Sequence, residues 1–313
     1  MPARIALRAR WHSATSRPFS STSSRPAAIE LAHTIHEAPD GQHSQKSPIL
    51  LMHGLFGSQR NNRTMTKDLS RNVYTLDLRN HGDSPHDPVH TYTAMAEDVE
   101  AFIKTQKISA PILIGHSMGA KVAMTLALRQ PKSYTALIPV DNAPLDAALK
   151  SDFGAYVNAM KKIEDHRPPV KKQSEAAAIL AKTEPSVAIQ QFLLTNLVKA
   201  PVSTTQADGT TTAETALRFR IPLGTLAKAL PDLADFPFKD PDVARYEGPT
   251  LVVRGTQSHY VSDESLPLIG RFFPRFELLD CDCGHWVMSE KFEDFRQGVG
   301  AWIRRVVDQD LQE

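Results

Sequence analysis

Two cysteines in 313 residues, Cys281 and Cys283, stand one residue apart. That is too close for a disulfide framework, which excludes a small secreted fold held together by staples and points to a reducing compartment. No uninterrupted apolar run reaches the roughly 18 residues of a membrane-spanning helix, so none is expected. Charge of either sign is not in excess: 36 Lys and Arg face 35 Asp and Glu, which excludes a nucleic-acid binder working by bulk positive charge. The 15 glycines never form a G-x-x-x-x-G-K phosphate loop, and no nucleotide cofactor is indicated. One absence is local. No acidic residue precedes Glu30, while Arg4, Arg8, Arg10, Arg17 and Arg25 lie among many Ser and Thr. A positive, acid-free leader is attracted to an anionic membrane and drawn inward by a negative-inside potential, so a mitochondrial transit peptide over residues 1–28 is expected. Its loss would leave a mildly acidic chain.

What the chain does have is length enough to bury a large core and an alternation of short β-rich runs with amphipathic stretches from residue 47 onward. Strands are expected at Ile49 to Met52, Val73 to Leu78, Ile112 to Gly115, Thr135 to Val140, Leu251 to Arg254 and Phe276 to Leu279, with a weaker pair around Ile29 to His36. Between them Met95, Val99, Phe102 and Ile103 fall on one helical face, as do Val122, Ala123, Leu126 and Ala127. This is the habit of a mainly parallel sheet covered on both faces. The alternation stops between Pro144 and Tyr246, where helices are expected at Phe153 to Ile163, Ala176 to Lys182, Val187 to Lys199 and Leu223 to Leu230. We read residues 29–143 and 247–313 as the core and 144–246 as an inserted helical cap, with Ser203 to Thr212 as a solvated loop.

Gly115-His116-Ser117-Met118-Gly119 follows a strand and enters a helix, the context of a nucleophile elbow, in which glycines permit a turn sharp enough to lift a serine hydroxyl above the sheet. A serine hydroxyl needs a base, and the base needs a carboxylate to orient it. His285, after the last strand and before the C-terminal helix, is the best-placed base, and His116 is expected to pack. Asp141, at a strand's carboxyl end, is the expected acid, with Asp263 as the alternative, because the loop after Arg254 offers Gln257, an amide that cannot carry the charge. Oxyanion donors are expected from the backbone N–H groups of Met118 and Leu55, the latter in His53-Gly54-Leu55-Phe56-Gly57. Cys281, Cys283 and His285 on one short loop make poor zinc spacing, so no metal is expected. Asp77 to Ser84 reads as a hydrogen-bonded turn shaping the site.

Together the elbow, His53-Gly54, Asp77 to Ser84 and Gly284-His285-Trp286 resemble the α/β-hydrolase superfamily. The run from Gly115 to Met124, Phe219 to Leu223 and Tyr260 to Ser262 are similar to mitochondrial abhydrolase-domain-11-type proteins, small bacterial esterases and yeast ethanol acetyltransferases. The resemblance implies an α/β-hydrolase fold over about residues 47–306, a Ser117, Asp141, His285 triad, no cofactor, mitochondrial residence and a small acyl ester or acyl-CoA substrate. The Thr-rich segment around Ser203 to Thr212 departs from it as an insertion in the cap. Two alternatives stand beside ester or thioester cleavage: transfer of an acetyl group to ethanol, and a non-catalytic client-binding protein. The cap also leaves room for peripheral contact with a membrane.

Overall fold

The computed structural model describes residues 28–38, 46–61, 71–146, 153–205 and 211–309; the expected leader over 1–28 lies almost wholly outside them. Seven strands form one sheet: β1 (His33–His36), β2 (Ile49–Met52), β3 (Val73–Leu76), β4 (Ile112–His116), β5 (Ala136–Val140), then β8 (Thr250–Gly255) and β9 (Phe276–Cys281). They lie in the order β1-β3-β2-β4-β5-β8-β9. Every neighbouring pair is parallel except β1 with β3. The core strands therefore all end at one edge.

Side-chain alternation explains why the central strands read as unbroken apolar runs. Leu50, Met52, Leu113 and Leu137 face one layer, with α1 (Tyr92–Thr105) and α2 (Met118–Arg129). Ile49, Leu51, Ile112, Ile114 and Ile138 face the other, against Phe295, Val299 and Trp302 of the C-terminal helix Phe292–Trp302. Both faces of β2 and β5 are buried, so these strands are apolar throughout. The helix α1 is capped by Thr91, whose hydroxyl accepts the Ala94 N–H, which satisfies one of the orphan donors of the first turn.

Between β5 and β8 lies the cap. It contains α3 (Phe153–Glu164), α4 (Gln173–Leu180), α5 (Val187–Leu194) and α6 (Leu223–Ala234), and also an antiparallel hairpin, β6 (Leu197–Thr205) with β7 (Thr211–Phe219). Two expectations are corrected here. The helix expected to run from Val187 to Lys199 ends at Leu194, because Leu197 opens β6 and pairs with Phe219. The described ends of the expected loop Ser203 to Thr212 are strand: Thr204 pairs with Thr212 and Thr205 with Thr211, while residues 206–210 lie outside the described residues. Consecutive threonines are β-branched and suit an extended backbone, so a segment without a periodic apolar face is here the far end of a ribbon.

Candidate active site

Parallel register brings the loops after β2, β3, β4, β5, β8 and β9 to one edge of the sheet, the edge at which open α/β sheets carry ligands. Ser117 stands at the β4 to α2 turn with φ 53° and ψ −112°, a strained conformation for a residue with a side chain. The flanking glycines are a steric necessity. A Cβ on Gly115 would lie 2.1 Å from the Gly119 carbonyl oxygen, and one on Gly119 2.6 Å from the Met52 carbonyl oxygen. The turn is held from outside: the Ser117 N–H donates to the Val140 carbonyl at 2.9 Å and the Asn142 side-chain amide donates to the Ser117 carbonyl at 3.1 Å.

His285 lies between Ser117 and Asp141. Its Nε2 is 2.8 Å from Ser117 Oγ and its Nδ1 is 2.7 Å from Asp141 Oδ2. With the Nδ1–H donated to the carboxylate, Nε2 is left as the acceptor for the serine hydroxyl. Both ring nitrogens are engaged, so this histidine has none to offer a metal. Asp141 is fully buried at φ 51°. Its Oδ1 accepts the Gly255 N–H at 3.0 Å, and Oδ2 also accepts the Ser258 hydroxyl. The alternative acid, Asp263, is placed elsewhere: its side chain is 80% exposed and pairs with Arg254 at 2.6 Å.

His116 packs as expected, 5.0 Å between ring centroids from His285 and bonded through Nε2 to the His285 carbonyl at 2.8 Å. Burial, reinforced by the neighbouring His285, lowers its pKa to about 4. Tyr260 also stacks on His285, with centroids 4.1 Å apart and planes 24° apart. The imidazole thus has both rings as neighbours.

Leu55 and Met118 line one pocket with Ser117, Tyr92, Phe153 and Leu233. Met118 is the first residue of α2, where N–H groups have no intrahelical acceptor. Leu55 lies in a turn closed by the Gly57 N–H on the Gly54 carbonyl at 2.9 Å. A Cβ on Gly54 would come within 3.2 Å of Ser117 Cβ, so this turn runs directly beside the serine.

Two histidines clasp that turn to the Asp77 to Ser84 segment reciprocally. His53 Nδ1–H donates to the Gly54 carbonyl at 2.8 Å and its Nε2 accepts the Leu78 N–H at 3.0 Å. His81 Nδ1–H donates to the Arg79 carbonyl at 2.9 Å and its Nε2 accepts the Phe56 N–H at 3.1 Å. Each ring must be neutral to do this, and burial above all lowers the two pKa values, to about 4 for His53 and about 3 for His81. The Asp77 carboxylate accepts the Gln59 and Asp83 N–H groups at 2.7 and 2.9 Å, as a turn-shaping residue should.

Some of the site carried no local signal. Ser258 follows Gln257 in a loop that offered no carboxylate, and its service to Asp141 appears only when β5 and β8 are adjacent. Lys121, one turn into α2, donates to the Ala234 and Asp235 carbonyls at 3.2 and 3.0 Å and lies 5.4 Å over the Tyr92 ring. Burial lowers its pKa to about 8. The Tyr92 hydroxyl donates to the Leu233 carbonyl at 2.9 Å, so both residues fasten the end of α6 over the pocket.

A family model described as alpha/beta hydrolase fold matches residues 47–292. A Saccharomyces cerevisiae protein named probable alcohol acetyltransferase is 41% identical over 274 residues, 84% of this chain and 79% of that protein. A Xenopus laevis protein named sn-1-specific diacylglycerol lipase ABHD11 is 40% identical over 261 residues, 80% of this chain and 78% of its own length. Among solved structures, a marine microorganism esterase superposes with a TM-score of 0.73 at 28% identity, covering 87% of this chain and 98% of that one.

Proposed function

This chain belongs to the α/β-hydrolase family, and from that premise we propose that it is a mitochondrial serine hydrolase that cleaves acyl esters or thioesters through an acyl-enzyme on Ser117. The observation that carries the reading is the continuous hydrogen-bonded chain from Ser117 Oγ through His285 to Asp141. Ser117 attacks the acyl carbonyl as its proton passes to His285 Nε2, and Asp141 stabilises the imidazolium that forms. The carbonyl oxygen, now negative, is met by the Leu55 and Met118 N–H groups. Collapse expels the alcohol or thiol, which takes the proton from His285, and leaves the acyl group on Ser117. Water, activated by the same histidine, then releases the acid. No cofactor enters any step.

A second reading uses the same acyl-enzyme, with ethanol in place of water as acceptor. It is favoured by the 41% identity to a yeast protein named as an alcohol acetyltransferase. The name of the Xenopus relative extends the ester class to lipids. Which acceptor wins depends on how well the capped pocket excludes water.

The test supplies the purified protein and its Ser117→Ala variant with acetyl-CoA and p-nitrophenyl acetate while ethanol is varied, and counts acid against ethyl ester. Acid that disappears in Ser117→Ala is the expected result. Ethyl ester rising at the expense of acid would make transfer the main activity, and the absence of any Ser117-dependent product would overturn the acyl-enzyme.

A further inference from the structure

Phe56 is the third residue of the Gly54–Gly57 turn and has φ 64°, a value that a type II turn requires there and that glycine, not a side chain, adopts freely. The left-handed region is unfavourable for a residue with a side chain, so something else must hold it. Its ring is fully buried, 5.8 Å between centroids from Phe153 of the cap helix α3. Its N–H is bound by His81, and its carbonyl by Asn196.

Asn196 comes from the cap, between α5 and β6. It is 2% exposed, and its side-chain N–H groups donate to the Phe56 carbonyl at 2.8 Å and to the Leu193 carbonyl at 3.3 Å. Two carbonyl acceptors leave no doubt about which way the amide faces. Its own backbone carbonyl accepts the Arg220 N–H at 2.9 Å, so the residue is fixed at the point where α5, β6 and the end of β7 meet.

The bonds that follow run in series. The Phe56 carbonyl that Asn196 binds belongs to the same peptide group as the Gly57 N–H. That N–H donates to the Gly54 carbonyl at 2.9 Å, and the Gly54 carbonyl belongs to the same peptide group as the Leu55 N–H. In a trans peptide the carbonyl and the N–H point in opposite directions. Whatever draws the Gly54 oxygen toward Gly57 therefore aims the Leu55 N–H the other way. Each bond in such a chain also polarises the next.

We propose that Asn196 is a positioning residue for the oxyanion site: through the two peptide groups of the Gly54–Gly57 turn it aims and strengthens the Leu55 N–H, so that the donor is complete only when the cap is seated. This rests on the reading of Leu55 as an oxyanion donor. It makes the cap a working part of the chemical step as well as a cover for the substrate.

The experiment uses full-length protein, Asn196→Leu, which keeps the volume and removes the donor, and Asn196→Asp, which keeps the shape but places a carboxylate acceptor opposite the Phe56 carbonyl. Steady-state hydrolysis of p-nitrophenyl acetate is compared with inhibition by a short alkyl trifluoromethyl ketone, whose adduct with Ser117 places an alkoxide where the oxyanion forms. We expect kcat to fall about tenfold with KM nearly unchanged, and the ketone to bind weaker by the same factor, a fraction of what complete loss of an oxyanion donor costs. If one variant fails to fold, the other carries the test. A fall in thermal midpoint with kcat and ketone binding unmoved, or a loss carried by KM alone, would reduce Asn196 to a structural strut and overturn the proposal. Ester turnover that survives Ser117→Ala would instead overturn the serine-hydrolase reading, an outcome separate from either.

Discussion

Asp141 gives one carboxylate oxygen to the Gly255 N–H and shares the other between His285 and the Ser258 hydroxyl. An amide at this position keeps the shape and can still accept from Gly255, but it turns an N–H toward His285 Nδ1. The imidazole then carries its proton on Nε2, where it blocks the serine hydroxyl. Asp141→Asn is expected to fold with a melting temperature close to that of the parent and to lose kcat by a factor on the order of 10⁴; thermal melting and p-nitrophenyl acetate turnover check both halves. Ser117 was legible because a steric demand, two glycines two residues either side of a serine, is written in consecutive letters. Asp141 was legible by position at a strand end and by Gln257 standing where an acid is needed. Ser258 and Asn196 were not, because each acts on a partner more than a hundred residues away in sequence, and nothing local distinguishes a serine or asparagine that will do so.

At the level of elements, the reciprocal clasp of His53 and His81 ties the loop after β2 to the loop after β3, and it sets an acid limit on the fold. Their folded pKa values are lowered, to about 4 and about 3, mainly by burial, while in the unfolded chain each takes up its proton near 6.5. Between those values the unfolded state binds more protons, so stability is complete above about pH 6.5 and falls as pH is lowered toward the folded values. At pH 5 the loss is on the order of 2 kcal/mol for each of these histidines. Urea unfolding at pH 7.5, 6 and 5 should show this decline, and a flat profile would mean the rings accept protons without breaking the clasp. The parallel strands were legible from apolar runs that match them to within two residues, while a single strand, His33–His36, forms where a weaker pair is expected. The cap was legible only in its helices. Val198 and Ala200 continue an apolar pattern past the end of α5, so a helical period runs without a visible break into a strand, and Thr-rich polarity concealed the ribbon beyond.

For the molecule as a whole, charge is distributed along the chain rather than in its total. Five arginines and no acid fill the stretch before Glu30, while the body is slightly acidic, and we propose on that composition that the leader directs the protein to mitochondria. Fusion of residues 1–30 to a fluorescent reporter is expected to place the reporter in mitochondria, and a variant with the five arginines replaced by glutamine should leave it in the cytosol. A wild-type fusion that stays cytosolic would remove the proposal without touching the enzyme. The hairpin in the cap bears on how copies of the protein meet. Leu217 of β7 donates its N–H outward to the Val170 carbonyl at 2.8 Å, so odd-numbered residues of β7 face away from β6 and their partners in register, Lys199 and Pro201, face away as well. Among the described residues, the two-stranded sheet gives β6 a partner on one side only. On its other side the backbone could recruit a strand from a second molecule, and there stands Pro201, the one residue type with no N–H to offer. A strand edge left open in the cap adds a risk of aggregation, and a single proline interrupts the row of donors on which such pairing would begin.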